Sequence, residues 1–133
     1  MLDADVIIGG EKGLFDLATW LRSRPDDTFE VAAITVAELW HGVERATGPH
    51  RTRRQQYLRT VLAALPIVPY TEQTAYEHAR IWARLAAAGK KIGPYDLIVA
   101  ATAIERGSTV ATFNTRHFDV VPGLTTIAPG PAG

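Results

Sequence analysis

The chain has 133 residues, 47% apolar and 21% charged, which is the size and make-up of one soluble globular domain rather than two. Lys plus Arg balances Asp plus Glu, so the formal net charge is zero and a nucleic-acid ligand would have to be held by a local basic patch, not by the field of the whole protein. The absence of cysteine excludes disulfides, Cys-ligated zinc and thiol catalysis and accords with a reducing cytoplasm; acids at Asp3 and Asp5, where a signal peptide is basic, and the lack of a long apolar run argue against secretion and membrane spanning.

In chain order, short apolar runs alternate with helical segments, the pattern of an α/β fold around a mainly parallel sheet. Met1 to Asp3 reads as the end of a first strand. Asp5 is a candidate N-cap for a helix opening at Val6-Ile-Ile. Leu14, Leu17, Ala18 and Leu21 follow helical spacing. Phe29 to Ile34 is predicted as a second strand and Thr35 to Ala46 as a helix with Val36, Leu39, Trp40 and Val43 on one face. A helix over about Arg51 to Leu65 follows, then a short strand Ile67-Val68 ended by Pro69. Thr71 to Ala88 is a long helix stopped by Gly89. Pro94 to Arg106 is another, with proline in its first turn and Gly107 past its end. Thr109 to Phe113 and Thr125 to Ala128 are the last strands. A single domain over 1–128 is therefore expected, with 129–133 as a flexible tail.

The acids fall where such a fold gathers chemistry. Asp3 ends the first strand, Glu38 lies in the first turn after the second, and Asn114 follows the strand Thr109 to Phe113; ligand sites of open parallel sheets form at the carboxyl ends of the strands. Asp96 opens a helix that is apolar almost all round, and a carboxylate there needs a partner, either the helix dipole or a metal. For Glu38 two readings stand open, because Thr35-Val-Ala-Glu38 also matches a capping box. Asp3, Glu38 and Asp96 converging without His or Cys would make a hard oxygen site suited to Mg²⁺, with Mn²⁺ as a substitute, rather than zinc. His41, His50, His78 and His117 show no zinc-ligand spacing, and there is no phosphate-binding loop, dinucleotide signature or nucleophile elbow.

Four segments, Leu2-Asp-Ala-Asp-Val-Ile-Ile8, Ile34-Thr-Val-Ala-Glu-Leu-Trp-His-Gly42, Ile92-Gly-Pro-Tyr-Asp-Leu-Ile-Val-Ala-Ala101 and Thr112-Phe-Asn-Thr-Arg-His-Phe118, resemble in order the motifs of PIN-domain nucleases, and among these the VapC-type toxins of bacterial toxin–antitoxin pairs. The resemblance runs to about Pro122-Gly-Leu124. It implies an α/β/α sandwich, a Mg²⁺-dependent endoribonuclease, Asp3, Glu38 and Asp96 as the acids of the site with Asp3 and Asp96 as direct metal ligands, and Thr112 as a hydroxyl lining it. It also implies a homodimer, an RNA substrate and a VapB-like antitoxin. One position departs from the pattern: Asn114 stands where many PIN domains carry a fourth acid. It can offer a carbonyl oxygen but no charge, and His117 and Asp119 are nearby candidates to fill the gap.

Two competing readings belong beside this one. A catalytically weak PIN-like RNA-binding or regulatory module would follow from loss of the fourth acid, although Asp3, Glu38 and Asp96 are kept. An aspartyl phosphatase would use Asp3-x-Asp5, but its downstream Lys and acidic pair are missing. The cluster Arg51, Arg53, Arg54 and Arg59, with His50 beside it, can hold phosphates or be a solvated helix face; Lys90 and Lys91 are a second basic candidate. Trp20, Trp40 and Trp82 are expected in the core or a dimer contact.

Overall fold

The computed structural model describes residues 1–130; the end of the expected tail, 131–133, lies outside the described residues. Four two-residue strands are formed: β1 (Val31–Ala32), β2 (Ile67–Val68), β3 (Val110–Ala111) and β4 (Thr126–Ile127). β1 pairs with β2 and β3 with β4, both parallel. The first three residues join the two pairs. Leu2 bridges Ala111 in parallel, the Ala111 amide donates to the Met1 carbonyl at 2.8 Å, and the Leu2 amide donates to the Glu30 carbonyl at 2.9 Å. The order across the layer is thus β2, β1, the Met1–Asp3 segment, β3, β4, all parallel.

Alternation along these short strands builds two cores. Met1, Ala32, Val68 and Val110 face one side, packed on Ile81, Leu85 and Val99 of helices α5 (Glu72–Ala87) and α6 (Pro94–Arg106) and on Phe118. Their neighbours Leu2, Val31 and Ala111 face the other, packed on Val6, Ile7, Trp20, Leu39, Val43 and Leu58. Those side chains come from α1 (Ala4–Glu11), α2 (Leu17–Arg22), α3 (Ala33–Arg45) and α4 (Gly48–Ala63). A one-residue step along a strand reverses the side chain, so each dipeptide serves both layers of the α/β/α sandwich.

The helix ends follow their sequence signals in several places. Asp16 caps α2 by accepting from the Thr19 amide, Thr71 and Thr74 form a capping box at α5, and Gly107, at φ 66°, closes α6 in the left-handed conformation that a side chain disfavours.

Several expectations are corrected. The first strand is only a bridge. The second strand ends at Ala32, not Ile34: α3 starts at Ala33, and the β-branched run Ile34-Thr-Val sits in a helix because Thr35, Leu39 and Val43 form its buried stripe. The third helix begins earlier than expected, at Gly48. Leu14 lies exposed in the turn before α2. A short helix α7 (Thr115–Phe118) follows β3. Pro129 is buried, so the packed chain runs past Ala128. Among the described residues no helix is long and apolar enough to cross a membrane.

Candidate active site

Asp3, not Asp5, is the N-cap of α1: its backbone is extended and its Oδ1 accepts from the Ala4 amide at 2.9 Å. This fixes the carboxylate at the carboxyl end of the central segment, 5% exposed. Its Oδ2 accepts from the Thr112 hydroxyl at 2.9 Å. Burial raises the Asp3 carboxyl above its usual range, opposed by the Thr112 and Ala4 hydrogen bonds and by His117.

Since α1 starts at Ala4, Asp5 is its second residue and turns toward the end of β3. Its Oδ2 accepts from the Phe113 amide at 3.0 Å, the Asn114 Nδ2 at 3.1 Å and the Thr112 hydroxyl at 3.2 Å. The single hydroxyl proton of Thr112 is thus shared between Asp3 and Asp5, while its oxygen accepts from the Asn114 amide at 3.0 Å. Asp5 is the hub that shapes the Thr112–Asn114 turn, a role the N-cap assignment misses. The available signal is the Asp3-x-Asp5 spacing itself: with Asp3 as cap, Asp5 falls in the first turn with its carboxylate free of capping. Burial, and after it the charge of Asp3, push the Asp5 carboxyl to about 6.

Glu38 is the sixth residue of α3, whose N-cap is Ala32 with no side-chain cap bond, so the capping box is not formed. Glu38 Oε1 is buried and, among the described residues, without a hydrogen-bond partner, as is the Thr35 hydroxyl. Burial is the main cause that lifts the Glu38 carboxyl to about 7, followed by the charges of Asp3, Asp96 and Asp5. Asp96 is the third residue of α6. Burial and then Asp3 raise its carboxyl, and His117 opposes them. His117 Nδ1 stands 3.7 Å from Asp96 Oδ2.

The fold thus brings Asp3, Asp5, Glu38, Asp96 and Asn114 to one end of the sheet, with Thr112 between the first two. Among the described residues these acids surround a common space without closing into a ready three-donor cage. A divalent cation fits them nonetheless. The donors are hard oxygens, each acid resists ionising, and one buried carboxylate oxygen lacks any partner. A cation answers all three conditions.

The basic cluster is partly structural. Arg54 pairs with Glu11 at 2.9 Å and Arg51 with Glu44 at 3.5 Å, and Arg59 lies over the Trp40 ring at 5.8 Å. Arg53 is exposed on α4. Trp20 is buried, but Trp82 is 62% exposed, contrary to a core position, and stacks on His78. His78, Trp82, Lys90 and Lys91 line a hollow between α5 and the start of α6, apart from the acids.

The PIN-domain family matches residues 1–124. A VapC ribonuclease of Sinorhizobium fredii is 36% identical over 97% of this chain and 96% of its own length. The tRNA(fMet)-specific endonuclease VapC of Salmonella typhimurium is 34% identical over 71% of this chain and 70% of its own length. Among solved structures, the DNA-bound VapBC of Salmonella typhimurium superposes with a TM-score of 0.86 at 30% identity, covering 98% of this chain and 97% of that one. With the four motifs in order, the sandwich and the acid cluster in place, and a match over nearly its whole length, the chain belongs to the PIN-domain family, and its curated relatives are VapC ribonucleases.

Proposed function

We propose that this protein is a Mg²⁺-dependent endoribonuclease, the toxin of a VapBC-type pair, and that Asp3, Glu38, Asp96 and Asn114 form its active site with Asp3 and Asp96 as the metal ligands. The observation that carries this reading is the cluster of acids at the strand ends, all of them resisting ionisation, with an unpartnered carboxylate oxygen on Glu38. Bound there, the ion supplies an activated water and neutralises charge on the phosphodiester. The side chains do the rest. Thr112 orients Asp3. Asp5 holds the turn that presents Asn114. Glu38 is suited to orient the attacking water and take its proton, since its carboxyl ionises near neutrality.

The partners follow from the same reading: an RNA substrate, a second copy of the chain in a homodimer, and a VapB-like antitoxin whose basic side chain would suit an acidic groove. The setting is the cytoplasm. A catalytically weak RNA-binding module draws on Asn114 in place of an acid, but keeping Asp3, Glu38 and Asp96 together is costly unless they serve chemistry.

The test is RNA cleavage by purified protein with Mg²⁺. Cleavage stopped by EDTA, and growth arrest on expression relieved by a small co-purifying partner, are expected. Soluble, dimeric protein that leaves RNA intact with any divalent ion and does not slow growth would overturn the proposal.

A further inference from the structure

We propose that His117 is a nitrogen ligand of the same metal site, so that the ion is held by a mixed oxygen and nitrogen donor set selecting Mn²⁺ over Mg²⁺; this rests on the metal-dependent reading above. His117 sits in α7, whose next residue, Phe118, is fully buried and anchors the turn. The backbone is fixed further by the His117 amide donating to the Asn114 carbonyl at 3.0 Å. The imidazole side chain is itself 64% exposed, with Nδ1 3.7 Å from Asp96 Oδ2.

That separation is too long for a hydrogen bond. It is a separation two atoms show when they share one cation, since donors about 2.1 Å from an ion stand about 3.0 Å apart at right angles and about 4.2 Å apart when opposed. The imidazole also reaches the cluster beyond Asp96, because its charge acts on Asp3 as well. Asp119, the other candidate for the missing acid, is exposed, and its charge is not among those felt by Asp3, Asp5, Glu38 or Asp96. Asn114 is engaged through its Nδ2 with Asp5. Of the three residues that could replace a fourth acid, His117 alone combines an exposed ring with a place beside a proposed ligand. An imidazole nitrogen adds affinity for first-row transition ions and little for Mg²⁺, which takes oxygen.

The experiment uses the untagged full chain with Mn²⁺ as the probe, read by pulsed electron paramagnetic resonance for nitrogen coupling and by calorimetry for affinity. Wild type is expected to show coupling from an imidazole nitrogen, and Asp96→Asn to lose the bound Mn²⁺. His117→Gln, at an exposed side chain that leaves the fold intact, should lose the coupling. It should weaken Mn²⁺ by at least the roughly tenfold that losing even an outer-sphere partner costs, with Mg²⁺ affinity changed by less than about twofold. His117→Asp should lose the coupling and tighten Mg²⁺. Mn²⁺ bound in an Asp96-dependent way without nitrogen coupling, or coupling that survives in His117→Gln, overturns the role of His117 and leaves the metal site standing. No Mn²⁺ binding to wild type overturns both.

Discussion

Glu38→Gln separates a metal-site acid from a structural one, and its effect on stability follows from the geometry. In the metal-free protein the Glu38 carboxyl ionises at about 7, against an ordinary value of 4.5, because it is buried beside Asp3, Asp96 and Asp5. A carboxyl raised in the folded state binds its proton more tightly folded than unfolded. Its contribution is therefore fully present below the unfolded value and is lost as pH rises through about 7. Taken at face value the gap corresponds to about 3 kcal/mol, and partial solvent access with sharing among coupled acids brings this to roughly 1–2 kcal/mol. Glutamine keeps the shape and carries no charge. Glu38→Gln in EDTA at pH 8 should thus melt higher than wild type by roughly 3–8 °C, with the difference vanishing near pH 5. Saturating Mg²⁺ should raise the wild-type melting temperature and do less for the variant, which should have lost most RNA cleavage. Thermal melts of both proteins across pH 5 to 8.5, with and without Mg²⁺, make the comparison. A variant that melts below wild type at pH 8 in EDTA by the same margin as at pH 5 would refute the argument, because it would mean that the ionised carboxylate is stabilised by partners rather than strained by its neighbours.

The other substitutions probe the same end of the sheet. Asp96→Asn should keep the fold, seen as an unchanged circular dichroism spectrum, and lower RNA cleavage by orders of magnitude through loss of a charged ligand. Asp5→Ala removes the acceptor for the Phe113 amide and the Asn114 Nδ2; it should cost about 1–3 kcal/mol in denaturant titration at pH 5, where relief of charge repulsion does not offset the lost hydrogen bonds. Asn114→Asp places a carboxylate against Asp5 in place of an amide donor; it should lower the melting temperature in EDTA by several degrees at pH 8, yet shift a calorimetric Mg²⁺ titration to lower concentration.

What the sequence makes legible is what depends on local chemistry. The long helices α5 and α6 carry their stops in Gly89 and Gly107, and the strand Ile67-Val68 is bounded by Pro66 and Pro69. The positions Asp3, Glu38 and Asp96 stand out because acids at strand and helix ends next to buried segments demand a reason. What is not legible is register. A strand of two residues leaves almost no periodic signal, so Ile34 reads as strand although it is the second residue of α3. Glu38 shows the consequence: once the helix is known to open at Ala33, the distance to its N-cap rules out the capping box, and a side chain with an ordinary local explanation is left with none. Asp5 shows the converse. Its partners, Thr112, Phe113 and Asn114, lie more than a hundred residues away and meet it only because the first residues slot in beside β3. The charge pattern points the same way. An isolated acid finds its hydrogen bonds nearby in sequence, as Asp16 does with Thr19. Asp5 instead draws on a distant turn, Glu38 keeps a buried oxygen unpartnered, and both resist ionising because of their neighbours. A fold that spends burial on holding like charges together gains nothing from them as scaffold, so their cost is intelligible only as that of a site completed by a cation.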